Sequence, residues 1–187
     1  VNLAFQAAQQ TTCAVATIEH ASVLSAAGRY AKPVLIQPDH KGRISPEAVK
    51  QALTPEVGFV SIALANNELG YVQPIEEIAR VIQVERERRQ SAGESTPLLF
   101  HTDASQAAAL LDIKVKRLGV DLLTLSAAKV YGPKQVGLLW VRPGVHIAAT
   151  IVGGGQELGL RSGTENVAGV IGFAEALELA AKRRKAE

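Results

Sequence analysis

The chain has 187 residues, of which 47% are hydrophobic and 20% are charged; this composition is typical of a globular protein and excludes a disordered chain. Its formal net charge of +2 is too small to indicate binding to nucleic acid or to a membrane surface. The single cysteine, Cys13, excludes an intrachain disulfide, and no Cys and His cluster has zinc-ligand spacing, so we predict no metal site. With no secretory signal or membrane-spanning run in the sequence, these features predict a cytoplasmic protein.

Short β-branched or apolar runs alternate with amphipathic stretches along the chain, which is the pattern of a parallel sheet with crossover helices. We find no repeat, low-complexity tract or internal linker. The sequence therefore predicts one α/β domain over residues 1–187, with a mostly parallel sheet in a three-layer α/β/α arrangement. In chain order, strands are predicted at residues 14–18, 34–37, 57–64, 98–101, 120–125 and 137–141. Helices are predicted at residues 22–27, 46–53, 74–90, 115–118 and 166–185.

Two of the predicted strands end beside residues that suit one ligand. Lys129 follows the strand at 120–125 in a turn of small residues, and Asp103 follows the strand at 98–101. An amine with room around it is what Schiff-base formation with an aldehyde cofactor requires. A carboxylate facing the pyridine nitrogen of pyridoxal 5'-phosphate (PLP) would keep that nitrogen protonated. Taken singly, Lys129 could be a solvated loop lysine, and Asp103 could cap a helix that begins near Ser105.

Further polar residues follow the predicted strands. In an open α/β sheet, ligands bind beyond the carboxyl ends of the strands, so His20, Asn67, Gln106 and Ser126 can converge with Lys129 although they are far apart in sequence. The hydroxyl of Ser126, with backbone amides of its turn, could donate to a phosphate. Read alone, His20 could be a structural hydrogen-bonding residue, and Asn67 could simply belong to a turn.

Five motifs, read together, identify a family. In their order and spacing they resemble the cysteine desulfurases and the related selenocysteine lyases, within the class V aminotransferase group of fold type I PLP enzymes. The resemblance runs from about Asn2 to about Ala181, and it is more specific than any single glycine pattern. The motifs are ANNELG at 65–70, HTDASQ at 101–106, SAAKVYGP at 126–133, GGGQE at 153–157 and RSGT at 161–164.

The resemblance implies a role for each candidate residue. Lys129 corresponds to the lysine that binds PLP, and Asp103 to the carboxylate at the pyridine nitrogen. His20 would stack on the cofactor ring and transfer protons. Asn67 would donate to the phenolic oxygen of PLP or to the substrate carboxylate, and Gln106 would donate to the same phenolic oxygen.

The phosphate-binding residues that the resemblance implies come from two chains. Ser126 would bind the phosphate of its own cofactor, whereas Thr164 would donate to the phosphate of the partner subunit across a two-fold interface, so a homodimer is expected. Arg161 would help to order the loop that carries Thr164. The chain departs from the family at Ala128, where a histidine usually precedes the lysine. Cys13 matches no sulfur-accepting position and is predicted to be buried.

The implied activity is that of a PLP-dependent cysteine desulfurase, a transferase that converts L-cysteine to L-alanine and holds the sulfur as an enzyme-bound persulfide. A sulfur-acceptor protein and a part in iron–sulfur cluster assembly follow from the same resemblance. The family has a seven-stranded sheet, a phosphate loop that would precede Val1, and a small domain with the accepting cysteine that would follow Glu187. We therefore expect this chain to form most of the large PLP-binding domain and to be unable to turn over alone.

Two alternatives remain open at this stage. The motifs GQE at 155–157 and GTEN at 163–166 resemble those of lyases and favour a selenocysteine lyase or another class V PLP lyase, with selenocysteine as substrate. Ala128 and the family segments missing at both ends favour a catalytically silent module for dimerisation or interaction.

Overall fold

The computed structural model describes residues 1–8, 11–30 and 33–184. Its main sheet has six strands in the order β2-β1-β3-β6-β7-β8. The first five pair in parallel, and β8 pairs antiparallel with β7. The mostly parallel α/β sheet is thus confirmed, with six strands in the described part of the chain where the family resemblance implies seven. The strands are β1 Thr12–Ala16, β2 Pro33–Ile36, β3 Val57–Ser61, β4 Ala65–Asn66, β5 Tyr71–Val72, β6 Leu99–Asp103, β7 Leu122–Ser126 and β8 Gly137–Val141.

All five predicted helices are present, with ends that differ by a few residues. The helix predicted to run to residue 185 is described as far as Arg183, and Lys185 lies outside the described residues. A short first helix and the small β4-β5 hairpin were not predicted, because two to four residues are too few for a hydrophobic period. The helices are α1 Asn2–Phe5, α2 Ala21–Tyr30, α3 Pro46–Ala52, α4 Ile75–Ser91, α5 Val115–Leu118 and α6 Val167–Arg183.

Helix α3 shows how local sequence determines where an element begins. The Ser45 side chain accepts a hydrogen bond from the Ala48 amide, so one of the unpaired amides of the first turn is satisfied. Pro46 occupies the first turn, where a missing N–H costs nothing, and Glu47 lies near the positive end of the helix dipole. Val49 is buried against the sheet, so the helix covers the core.

Two apolar clusters cover the two faces of the sheet. Ala14 and Ala16 of β1 belong to one cluster, together with residues of α3 and α4, whereas Cys13 and Val15 belong to the other, together with residues of α1 and α2. Successive side chains of a strand point to opposite faces. The helices therefore lie on both sides of the sheet, as the three-layer arrangement requires.

The position of Cys13 differs from the prediction. The predicted first strand begins at residue 14, after Cys13, but β1 begins at Thr12 and includes Cys13. The strand also ends earlier than predicted, at Ala16, because the chain turns there and the Glu19 amide donates back to the Ala16 carbonyl at 3.2 Å. Cys13 is fully buried, as expected. Burial raises the pKa of its thiol to about 11, so Cys13 is not a thiolate at neutral pH.

A buried ion-pair network joins strands β6 and β7 to their surroundings. Asp121, at 1% exposure, accepts hydrogen bonds from the Phe100 amide at 2.7 Å and from the Arg142 Nε at 2.7 Å. Arg86 of α4 forms a further ion pair with the same carboxylate. The amide and both guanidinium groups thus compensate the buried charge.

Among the helices that the structure describes, none is both long and apolar enough to cross a bilayer.

Candidate functional site

The carboxyl ends of the parallel strands open onto a cleft of about 1600 Å³. This volume exceeds the roughly 300–1,000 Å³ of a typical small-molecule pocket, so the cleft has room for a cofactor together with a substrate. Residues from eight separate parts of the chain converge here, as expected for an open α/β sheet. The cleft is lined by all seven predicted site residues: His20, Asn67, Asp103, Gln106, Ser126, Lys129 and Thr164.

Lys129 lies in a 3-10 turn, Ala127–Val130, directly after β7. Its side chain is exposed, and within the described ranges its amine forms no ion pair. The turn closes tightly, since the Gly132 amide donates to the Ala127 carbonyl at 2.9 Å. A Cβ at Gly132 would lie 3.0 Å from that carbonyl and 3.2 Å from the Cβ of Ala176. Small residues are therefore required for this turn, which holds Lys129 at the cleft.

Asp103 is the last residue of β6 and is half-buried. Its backbone carbonyl accepts a hydrogen bond from the Leu64 amide at 2.9 Å, and its Oδ1 accepts from the Ser105 amide at 2.9 Å. The capping alternative is thus correct in part, although Ser105 begins a turn and not a helix. No described residue donates to Oδ2, so one carboxylate oxygen of Asp103 is available to a ligand.

His20 follows β1 and immediately precedes α2. The Ser22 amide donates to its Nδ1 at 3.1 Å, and the Ser22 hydroxyl lies 2.8 Å from the same atom. Because a backbone amide can only donate, Nδ1 is an acceptor and the neutral ring carries its proton on Nε2. The ring is exposed at the cleft. The bond that fixes the ring thus leaves the Nε2–H free to donate a hydrogen bond to a ligand in the cleft.

The two asparagines after β3 have different positions. Asn66 is half-buried; its Nδ2 donates to the Ile18 carbonyl at 2.8 Å, and its Oδ1 accepts from the amides of Glu68 and Leu69. Asn66 therefore stabilises the turn to which Asn67 was expected to belong if it had only a structural role. Asn67 is exposed and lines the cleft. Gln106 lies there half-buried, three residues after Asp103.

Ser126 and Thr164 reach the cleft from different elements. Ser126 is the last residue of β7 and is half-buried, whereas Thr164 is exposed in the loop before α6. Side chains of that loop brace it, since the Gly155 amide donates to the Ser162 hydroxyl at 3.2 Å and the Gly163 amide donates to Gln156 Oε1 at 3.0 Å. The predicted role of Thr164 at the phosphate of a partner subunit remains a prediction, as do the roles of the other six residues.

Glu19 is a cleft residue for which the sequence predicts no role. It is 7% exposed, its Oε1 accepts from the Ala63 amide at 2.6 Å, and its Oε2 has no hydrogen-bond partner among the described residues. Burial, more than the charge of Asp103, raises the pKa of this carboxyl to about 8, although the Ala63 bond opposes the shift. Its position shortly after the first strand and next to His20 is the signal that could have identified it.

His101 lies beneath the cleft and does not reach it. The ring is fully buried; Nδ1 pairs with the Ser61 hydroxyl at 2.8 Å, and Nε2 pairs with the Thr124 hydroxyl at 2.8 Å. It stacks on Phe59 with ring centroids 6.0 Å apart. Burial lowers the pKa of His101 to about 3. His101 therefore stays neutral and joins β3, β6 and β7 below the site.

The neutral state of His101 predicts a loss of stability in acid. Because its folded-state pKa lies below the ordinary 6.5, its contribution to stability is present above that pH and is lost as the pH falls toward about 3. We expect a slope of up to about 1.4 kcal/mol per pH unit from this residue. Urea unfolding followed by circular dichroism at a series of pH values measures it.

The matched variants for this test are His101→Asn and His146→Asn. His146 is exposed, so its replacement should leave the acid profile unchanged, whereas His101→Asn should flatten it. An unchanged profile in His101→Asn would show that His101 does not become protonated as the protein unfolds in acid.

No group of three or more His, Cys, Asp or Glu residues that could hold a metal occurs in the described ranges.

The sequence and the fold both match known proteins. A family model described as aminotransferase class-V matches residues 1–187. This chain belongs to the aminotransferase class-V family. That family is PLP-dependent, so the PLP chemistry proposed from Lys129 and Asp103 agrees with family membership.

Two relatives of similar sequence are named cysteine desulfurases. The chain is 42% identical over 167 residues to cysteine desulfurase IscS of Clostridium botulinum, a match that covers 87% of this chain and 39% of the relative. It is 39% identical over 172 residues to cysteine desulfurase IscS 1 of Archaeoglobus fulgidus, covering 90% of this chain and 42% of the relative. The chain thus spans about two fifths of the length of these relatives.

Solved structures of similar proteins show the same fold. A NifS-like protein superimposes with a TM-score of 0.86 at 33% identity, covering 98% of this chain and 51% of that protein. SspA in complex with cysteine superimposes with a TM-score of 0.81 at 37% identity, covering 95% of this chain and 50% of that protein. The α/β fold of this chain is therefore the fold of about half of each of these proteins.

Proposed function

We propose that this chain forms most of the PLP-binding domain of a cysteine desulfurase, which converts L-cysteine to L-alanine and retains the sulfur as a persulfide. The observation that carries the proposal is that Lys129, just after β7, and Asp103, at the end of the neighbouring strand β6, line one cleft. The names of the relatives support cysteine as the substrate, as does the cysteine complex of SspA.

The residues present fit PLP. Lys129 offers an exposed amine without an ion pair among the described residues, as covalent binding of an aldehyde requires. Asp103 offers a carboxylate oxygen to which no described residue donates, which suits a protonated pyridine nitrogen. Ser126 and the turn after it offer a hydroxyl and backbone amides for a phosphate. The cleft thus presents an amine, an anion and neutral donors in one place.

When bound, PLP would supply an electron sink for the carbanion of the substrate. The chain would supply the remaining functions. Lys129 would bind the cofactor and move a proton, and the Nε2–H of His20 would donate a hydrogen bond to the bound ligand. Asn67 and Gln106 would donate to anionic oxygens without adding charge. The buried core under β6 and β7 would hold Asp103 in place.

The sulfur-accepting cysteine is not Cys13. Its side chain is buried and its thiol pKa is raised to about 11, whereas a nucleophile must be a thiolate with access to its target. We propose that the accepting cysteine belongs to a part of the full-length protein beyond this chain. The chain alone should therefore bind PLP without turning over.

A homodimer, a sulfur-acceptor protein and a cytoplasmic location also remain proposals. The loop that carries Thr164 exposes apolar side chains, with Val152 and Leu158 at 83% and 97% exposure. Such side chains favour burial against another protein surface. The Thr164 hydroxyl would then serve the phosphate of the partner. The names of the relatives favour a part in iron–sulfur cluster assembly.

The test is a titration of the chain with PLP, followed by the absorbance of lysine-bound PLP. The wild-type chain should give a saturable band, and Lys129→Ala should abolish it because no other lysine lines the described cleft. Lys134→Ala is the matched control, since Lys134 is exposed nearby but does not line the cleft. It should keep the band. A wild-type chain without any band would favour the silent interaction module, in keeping with Ala128.

A further inference from the structure

Glu19 joins two loops that carry site residues. Its Oε1 accepts from the Ala63 amide at 2.6 Å, across 44 residues of sequence. In the opposite direction, Asn66 Nδ2 donates to the Ile18 carbonyl at 2.8 Å, across 48 residues. These two bonds fix the exit of β1 to the exit of β3. His20 follows Glu19 and Asn67 follows Asn66, and both His20 and Asn67 line the cleft. The two bonds therefore position His20 and Asn67.

The same short segment also links Glu19 to Asp103. The Ala63 amide binds the Glu19 carboxyl, and the following amide, of Leu64, donates to the Asp103 carbonyl at 2.9 Å. The Glu19 carboxyl and the Asp103 backbone carbonyl are thus held on consecutive amides at one end of the cleft, and the charge of Asp103 acts on the Glu19 carboxyl. When two carboxyls share a site, the charge of one disfavours the charge of the other, and the less solvated group takes the proton.

The geometry of Glu19 suits a neutral acid. Glu19 is 7% exposed, while Asp103 is only half-buried. The Oε2 of Glu19 has no donor among the described residues, so a full charge there would be buried without compensation, which is costly. A protonated Oε2 removes that cost. The pKa of Glu19, raised to about 8 mainly by burial and further by Asp103, agrees with this state.

We propose that Glu19 is a positioning residue that holds a proton on Oε2, so that Asp103 is the carboxyl of the pair that meets the pyridine nitrogen as an anion. The role of Asp103 in this statement rests on the proposed function, whereas the proton on Glu19 does not. Asp103 is the charged group that acts on Glu19, and His20 is the adjacent titratable residue at the cleft.

The first experiment measures the unfolding equilibrium of the wild-type chain and of Glu19→Gln from pH 4 to 9. Glutamine keeps the acceptor for Ala63 and stays neutral. Because the folded-state pKa of Glu19 lies above the ordinary 4.5, its contribution to stability is complete below that pH and is lost as the pH rises through about 8. The wild-type unfolding constant relative to Glu19→Gln should rise by up to about tenfold per pH unit in this range. A constant ratio would overturn the proposal.

The second experiment repeats the comparison with Asp103→Asn in both chains. If the charge of Asp103 helps to keep the proton on Glu19, its removal lowers the pH at which the ratio stops rising. An identical profile would overturn the link between the two carboxyls. Any acid effect of His101 is common to both chains of a pair and cancels in the ratio.

The third readout is PLP affinity, which separates positioning from simple structural support. At pH 7, Glu19→Ala should weaken PLP binding about tenfold or more, because one of the two loop bonds that place His20 and Asn67, the Glu19–Ala63 bond, is lost, and Glu19→Gln should restore it. A glutamine that fails to rescue would overturn the neutral-acid role, even if the alanine variant does not fold. Absence of PLP binding by the wild-type chain would reject the proposed function, while the unfolding ratio would still decide the proton on Glu19.

Discussion

Asp103→Asn is expected to weaken PLP binding by about 10- to 150-fold. Asparagine keeps an Oδ1 that can accept from the Ser105 amide, so the turn after β6 should persist. What it loses is the negative charge that would face a protonated pyridine nitrogen. Hydrogen bonds to charged groups contribute about 1.5–3 kcal/mol, which corresponds to this range of affinity. Titration with PLP, followed by absorbance, measures the change.

The control for this variant is Asp112→Asn. Asp112 is an exposed carboxylate that forms an ion pair with Lys114 at 3.0 Å, and it does not line the cleft. The Asp112→Asn variant therefore removes the same charge without touching the site. It should bind PLP as the wild type does. Equal affinity of Asp103→Asn and Asp112→Asn would mean that Asp103 does not contact the bound cofactor.

Asp121→Ala is expected to destabilise the fold by about 3–5 kcal/mol, because it removes a buried carboxylate whose hydrogen bonds, as bonds to a charged group, contribute about 1.5–3 kcal/mol each. Here the Phe100 amide loses its acceptor, and Arg86 and Arg142 lose their anion. The network lies where β6 and β7 begin, and Asp103 and Lys129 follow the other ends of those strands. Loss of order there should therefore also weaken PLP binding. Urea unfolding at neutral pH measures the free energy.

Asp112→Ala serves as the matched variant for stability. Its ion pair is exposed, and surface pairs contribute little because solvent screens them, so its urea midpoint should equal that of the wild type. A loss of less than about 1 kcal/mol in Asp121→Ala, the value of an ordinary surface pair, would mean that the buried network is not a major source of stability.

The architecture could be predicted from local sequence. Apolar runs and helical periods predicted the six strands of the main sheet and five helices, because each signal lies within the element itself. The placement of Lys129 and Asp103 could also be predicted, since the strand ends of an open sheet converge at one edge. The family motifs added His20, Asn67, Gln106, Ser126 and Thr164 to the candidates, and the structure brings all of them to the cleft.

The buried polar contacts could not be predicted in this way. Glu19 binds an amide 44 residues away, and the partners of His101 are 40 and 23 residues distant in sequence. A local sequence pattern therefore cannot predict these hydrogen bonds. The first strand was misplaced around Cys13 for a related reason. Its start depends on pairing with β3, where the register shifts between Thr12 and Cys13, and pairing partners are not visible in a single strand.

The most direct test of the site is chemical trapping of PLP on the chain. Treating the PLP-loaded chain with borohydride reduces the bond between lysine and cofactor to a stable amine, and mass spectrometry of the digested chain then locates the modified lysine. We predict one modification, on the peptide that contains Lys129, and its loss when Lys129 is replaced. Modification of Lys134 or of several surface lysines, with Lys129 unmodified, would contradict a PLP site between Lys129 and Asp103.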